Sequence, residues 1–318
     1  MTITVLIPAF KPQYLGDLIR ALNYQTLRPS RVIISDDNPE RAFQAAFQNE
    51  EIRSATAGLN IEVIDGPRAG ASANIRHLLR TWNGSTELAH ILMDDDVVYP
   101  TFYERHAAVH SLGVFDCSIS RRWTALESGQ PVGELPRPEA IVNNAQRVLS
   151  LEADYVFPMT VGTCTNWLGE LSNVVFNRSV TDLLTEFAIA GISFEGLGDI
   201  GFCLSASLRN PLCYLNEPLG FFRLNPGQHT QQTTSYEMKI AHLAWIALAL
   251  AGQRVGKLTA EQVQHGINRI GPMTAHRFAD VEDMRPFIEL MPALTRADEG
   301  ASAAFLTLWD PFVRANQT

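Results

Sequence analysis

Ala89-His90-Ile91-Leu92-Met93-Asp94-Asp95-Asp96-Val97-Val98 is the stretch on which the fold turns. A short apolar run, Ile91 to Met93, delivers three consecutive carboxylates, and the turn-forming Pro100 follows. The pattern predicts a buried strand that ends at the acids. Three like charges at a strand tip repel one another by about 1 kcal/mol or more per pair, even in a fairly polarisable surround. Something positive is therefore expected beside them. A divalent cation with oxygen ligands meets that need, of the kind that keeps positions open for a nucleotide diphosphate. The plainer alternative is a solvated acidic turn. Placement at the carboxyl end of a strand, where α/β sheets hold their ligands, argues for a site.

Upstream of this stretch, Ile3-Thr4-Val5-Leu6-Ile7-Pro8-Ala9-Phe10 is a β-branched apolar run closed by a proline, which predicts a central parallel strand. Leu15, Leu18, Ile19 and Leu22 then recur at helical spacing up to Gln25-Thr26. Arg31 to Ser35 reads as a second buried strand ending at Asp36-Asp37-Asn38-Pro39, and Ile61 to Ile64 as a third. Ser72 to Leu79 reads as a helix, and Leu88 to Met93 as the fourth strand. Such alternation predicts a doubly wound, mainly parallel sheet. Both acidic clusters, Asp36-Asp37 and Asp94-Asp95-Asp96, fall at strand carboxyl ends.

Downstream, the pattern weakens from Cys117 to Pro158, where Gly129, Pro131, Pro136 and Pro138 mark loops. Trp123, Trp167 and Glu170 are the candidate ligand contacts of this region, although an isolated aromatic is more often core. Ser179 to Ala190 reads as helical. Phe194 to Phe202 is a glycine-rich loop carrying Asp199 into an apolar helix face of Phe202, Leu204 and Ala206. An Asp at a helix start also serves as an N-cap. From Ser235 onward the chain reads as helical, with Ile240, Leu243, Ala244, Ala247, Leu248 and Ala251 on one stripe and further segments at Glu261 to Ile270 and Ala301 to Phe312. These helices suit packing on the core or a homodimer surface. Lys239, Arg254 and Lys257 form no dense basic cluster, so peripheral membrane contact is the most that stretch allows.

Composition narrows the classes. The 318 residues, 46% hydrophobic and 19% charged, are those of a soluble globular protein. A net charge of -9, with no basic stripe, argues against nucleic-acid binding. Lysine occurs only at Lys11, Lys239 and Lys257. The cysteines Cys117, Cys164, Cys203 and Cys213 lack CxxC spacing and read as reduced core residues of a cytoplasmic protein. No basic n-region of a signal peptide precedes the first strand, and no apolar run reaches the roughly 20 residues of a spanning helix.

Four landmarks in order now carry a resemblance: Val5 to Phe10 with the helix to Thr26, Ile34-Ser35-Asp36-Asp37-Asn38, Met93-Asp94-Asp95-Asp96, and Leu197-Gly198-Asp199-Ile200-Gly201-Phe202. Together they resemble the family 2 glycosyltransferases of the GT-A fold over residues 1–232, with 1–116 as nucleotide-binding half, 117–232 as acceptor-binding half, and 233–318 as a helical C-terminal region. The resemblance implies a Rossmann-like, mixed but mainly parallel sheet flanked by helices. It implies inverting transfer from a nucleotide-diphosphate sugar, UDP first among the bases, to a glycan, lipid-linked or other hydroxyl acceptor, and associates the chain with polysaccharide biosynthesis. Nucleotide binding then falls to Pro8, Ala9, Phe10, Asp36, Asp37, Arg68, Asn74, Arg76, Asp94 and Asp95. Mn2+ or Mg2+ falls to Asp96 and Asp94, with His229 where some members supply a further ligand. Asp199 maps to the catalytic base, with Gly198 standing where the family usually has Glu. Two rival readings compete: a phosphatase of the haloacid-dehalogenase type, which lacks its lysine because none occurs between Lys11 and Lys239, and a non-catalytic binding protein on the same fold. A nucleotidyltransferase would need a glycine-rich loop after Ile7, which is absent.

Overall fold

The computed structural model describes residues 1–224 and 235–315. His229, expected near the metal, lies outside them. In chain order the strands are β1 (Ile3–Ala9), β2 (Arg31–Asp36), β3 (Ile61–Asp65), β4 (Leu88–Ile91), β5 (Val97–Val98), β6 (Cys117–Ala125), β7 (Pro131–Glu134), β8 (Val148–Leu151), β9 (Val174–Asn177), β10 (Ala188–Ile189), β11 (Ile192–Ser193) and β12 (Leu212–Arg223). One sheet runs β3-β2-β1-β4-β9-β6-β12-β5, with β7 on β6 and β8 on β12; β10 and β11 pair with each other.

The first half is parallel, as the apolar runs require: a strand covered on both faces has no polar side to show. Every residue of β1 is buried, and it pairs in parallel with β2 and β4. Register does the rest. Ala9 lies opposite Asp36 and Leu6 opposite Ile91, so the acids after β4 emerge level with the end of β1. The helix Leu15–Asn23 turns Leu15, Leu18, Ile19 and Leu22 into the core formed by β1, β2 and the helix Phe102–His110.

The other half mixes directions. β9 is antiparallel to both β4 and β6, β6 is parallel to β12, and β5 closes antiparallel on the end of β12. Gly220 of β12 faces Val97 so closely that a Cβ would sit 2.5 Å from its carbonyl oxygen. The expected loop at 117–158 is corrected here. It holds the nine-residue β6, whose Ser118, Ser120 and Arg122 are buried. Ser118 Oγ lies 2.7 Å from His106 Nδ1 and 2.9 Å from His110 Nε2, and Asn173 Nδ2 donates to the Ser120 carbonyl at 2.7 Å. Polar residues with partners inside the fold mimic a loop pattern. The helix expected at 179–190 is corrected too. Short turns at Arg178–Val180 and Leu183–Glu186 give way to β10, and Phe187 and Ala190 adopt left-handed backbone angles that stop any helix.

The chain divides into two compact units. The first comprises Met1–Ser150, Leu168–Thr185 and Asn210–Leu224; the second contains Leu151–Trp167, Glu186–Arg209 and the described residues from Ser235. The second holds the helices Tyr236–Arg254, Ala260–Arg277, Arg285–Thr295 and Ala301–Ala315. Ser235 and Thr259 cap the first two, the latter with Gln262 in a capping box. Two interior segments, 151–167 and 186–209, group with these helices. Among the described residues no helix is long and apolar enough to cross a membrane.

Candidate functional site

Each acid of the triplet has a different partner. Asp94 Oδ2 accepts from the backbone N–H of Phe10 and of Lys11, both at 2.6 Å, so it ties the end of β4 to the loop after β1. Burial nevertheless raises its pKa to about 6, against those two donors. Asp95 Oδ2 receives Lys11 Nζ at 2.5 Å. Burial works against the Lys11 charge, but the Asp95 hydrogen bond and the fields of Asp95, Asp94 and Asp96 outweigh it and raise the lysine pKa. Asp96 is 2% exposed, and its Oδ1 accepts from the backbone N–H of Arg223 at 3.0 Å. Its Oδ2 is buried with no hydrogen-bond geometry satisfied, although the Ser172 hydroxyl is close enough to temper its charge. Burial and then the Asp95 charge push the Asp96 pKa up.

Two groups that sequence reasoning missed hold this arrangement. The Arg223 side chain donates through Nε to the Asp95 carbonyl at 2.8 Å, through Nη2 to Asp17 Oδ2 at 2.9 Å, and through Nη1 to the Glu127 carbonyl. Its guanidinium lies over the rings of Tyr14 and Phe221, at 4.7 and 5.2 Å from their centroids. Ser172 is the second, with Oγ accepting from the Met93 N–H at 3.1 Å. The Ser172 carbonyl lies 3.0 Å from His90 Nε2, and a carbonyl only accepts. His90 therefore carries its proton on Nε2, and Nδ1 accepts from the Tyr103 hydroxyl at 3.0 Å. Burial depresses the His90 pKa to about 3, the Ser172 carbonyl opposing it, so the ring is neutral.

Beside Asp96 is a small pocket, with room for about one water, lined by Asp96, Arg122, Glu170, Ser172, Phe102 and Phe222 among others. Arg122 holds Glu170 through Nε and Nη2 at 2.8 and 2.6 Å and sits 4.8 Å from the centroid of the Phe222 ring. Glu170 is thus fixed in the wall of the pocket, and Trp123 is half-buried on β6. Trp167 belongs to the second unit, 2% exposed, with Nε1 donating to Thr160 Oγ1 at 3.0 Å.

The second acidic cluster is largely engaged with its own loop. Asp36 accepts from the backbone N–H of Asn38 at 3.2 Å and of Gln44 at 2.9 Å, and Asp37 Oδ1 accepts from the Arg68 N–H. Arg68 has a left-handed φ of 54° and its guanidinium lies 3.8 Å from Asp65. Asn74 is buried and donates to the Ser35 carbonyl at 3.0 Å, while Arg76 is exposed. Pro8 and Ala9 are buried in β1, and Phe10, 54% exposed, stands at its end.

Asp199 lies in the second unit, half-buried in the first turn of the helix Gly198–Arg209. Its charge adds to burial in raising the Cys203 thiol pKa. The glycines around it serve packing inside that unit. A Cβ on Gly201 would meet the Phe194 ring at 2.2 Å, and one on Gly196, at φ 94°, would meet the Ile240 backbone at 2.7 Å.

Among the described residues no three His, Cys, Asp or Glu side chains converge as a closed metal site. A hard cation that keeps several waters needs only one or two carboxylates together with substrate phosphates. The buried, unsatisfied Asp96 Oδ2 with Asp95 beside it fits that open type of site. Asp94, occupied by two backbone donors, supports it from behind.

Residues 4–130 match the family model described as glycosyl transferase family 2. None of the curated proteins matches the chain. Among solved structures, residues 1–349 of TarS from S. aureus in complex with UDP-GlcNAc align over 99% of this chain and 92% of that one, with a TM-score of 0.55 and 14% identity. The mannosyltransferase PcManGT from Pyrobaculum calidifontis, in complex with GDP-Man and Mn2+, aligns over 98% and 82%, with a TM-score of 0.51 and 13% identity. At such identity the likeness is one of fold.

Proposed function

We propose, for a chain whose residues 4–130 match the model of glycosyl transferase family 2, that it transfers a sugar from a nucleotide-diphosphate donor to an acceptor hydroxyl with inversion. The observation that carries this reading is the triplet at the end of β4, inside the matched segment, with Asp96 Oδ2 buried and tempered only by the nearby Ser172 hydroxyl. Asp96 and Asp95 would hold Mn2+ or Mg2+, which when bound offsets charge on the diphosphate. Asp94 fixes the loop after β1, so the backbone of Ala9 and Phe10 would line the nucleotide side, and Asp37 would meet the base through the carboxylate oxygen that Arg68 leaves. Asp199 would accept the proton of the acceptor hydroxyl. Glu170 and Trp123 belong to the acceptor side.

The test is release of nucleotide diphosphate from a panel of UDP- and GDP-sugars, with candidate acceptors and Mn2+. Wild-type protein should turn over at least one donor, and Asp199→Asn should bind it without turnover. Normal turnover by Asp199→Asn would remove that residue from the chemistry.

A further inference from the structure

We propose that Lys11 is a diphosphate-binding residue held in reserve on Asp95. When a divalent cation takes the Asp95–Asp96 edge, the displaced ammonium pairs with the phosphates of the donor. The inference rests on the transferase reading above.

Among the described residues, the geometry sets Lys11 apart from Arg223 and from Arg122, which is committed to Glu170 and Thr124. Its Nζ is 2.5 Å from Asp95 Oδ2, and its side chain is 32% exposed where that of Asp95 is 9% exposed. The ammonium therefore sits at the mouth of the acidic cluster. Its backbone is anchored, because the Lys11 N–H donates to Asp94 Oδ2 at 2.6 Å. The base of the side chain is fixed while its flexible stem carries a compact charge that three donors can present in any direction. Arg223 has no such freedom: it is 2% exposed, with its guanidinium committed to Asp95, Asp17 and Glu127. The other lysines are engaged in the second unit, Lys239 with Asp283 and Lys257 with Asp154.

Charge dictates the exchange. A cation bound at Asp95 and an ammonium on the same carboxylate repel each other across a few ångströms. That repulsion favours release of Lys11, whose backbone stays anchored at Asp94 while its side chain swings. Negative charge on the diphosphate grows as the sugar departs, and a second positive group at those oxygens stabilises it.

Calorimetric titration tests this on wild type, Lys11→Met and Lys11→Arg, with circular dichroism to check folding. The titrants are Mn2+ alone and then, in Mn2+, UDP, GDP, uridine and guanosine. Lys11→Met should bind Mn2+ alone several-fold more tightly, because its competitor is gone. The same variant should bind the preferred diphosphate about tenfold more weakly, with the nucleoside unaffected. Lys11→Arg should recover part of the diphosphate affinity. Unchanged or weaker Mn2+ binding by Lys11→Met overturns the proposal, as does an equal loss for diphosphate and nucleoside. If wild type binds neither UDP nor GDP in Mn2+, the transferase reading itself fails; binding by wild type with no change in Lys11→Met defeats only the role of the lysine.

Discussion

The backbone N–H of Arg223 donates to Asp96 Oδ1 at 3.0 Å across 127 positions of sequence. The last residue of β12 thereby fixes the third acid of the triplet, while its side chain reaches back to Asp95 and to Asp17 on the first helix. Replacing a buried cation strands its acceptors in a low-dielectric setting. Arg223→Met should cost about 3 kcal/mol or more in urea unfolding. Arg223→Lys should recover little, since an ammonium cannot present the same fork. A loss under about 1 kcal/mol for both would show that the clamp does not hold the site.

Asp96 gives a prediction about ligand, not stability. Asp96→Ala should abolish the increase in UDP or GDP affinity that Mn2+ brings, leaving the metal-free affinity near that of wild type. An undiminished Mn2+ effect would move the metal elsewhere.

The buried histidine makes stability depend on pH in a definite direction. The folded pKa of His90, about 3, lies below its ordinary 6.5, so below pH 6.5 the unfolded chain takes up a proton that the folded one refuses. Stability is then full above 6.5 and falls as pH drops, by about 1.4 kcal/mol per pH unit for this ring. His90→Gln should lose about 2 kcal/mol less than wild type between pH 6.5 and 5 in urea unfolding. An identical loss in both proteins would contradict a neutral His90.

In the second unit, Gly196→Ala should destabilise by about 2 kcal/mol or more, from a left-handed φ and a collision with the Ile240 backbone together. Thermal unfolding reads this directly. A neutral result would mean that the loop shifts freely around Asp199.

The sequence announced the strands whose surroundings are mainly apolar. β1, β2, β3 and β4 and the helix after β1 stood out because apolar residues dominate their runs or their helical period, with only single polar positions such as Thr4, Glu62 and His90 between them. β6 and β12 stayed hidden for a physical reason. Ser118, Ser120 and Arg122 are buried but paired within the fold, and Pro218 sits in β12 where its register with β6 shifts. Local pattern cannot report such partners, 12 to 53 positions away. The acidic triplet was legible because three charges after a strand demand compensation. Its compensation was not: Lys11 looked like any loop lysine, and Arg223 like any arginine after two phenylalanines. Ser172 carried no sequence signal at all.

The central claim is that this chain holds a nucleotide diphosphate through a cation on its acidic triplet, and calorimetry of wild-type protein with UDP and GDP, with and without Mn2+, tests it most directly. One of the two should bind, at least about tenfold more tightly with Mn2+, which corresponds to about 1.4 kcal/mol. Absence of binding for both nucleotides in the presence of Mn2+ would contradict it.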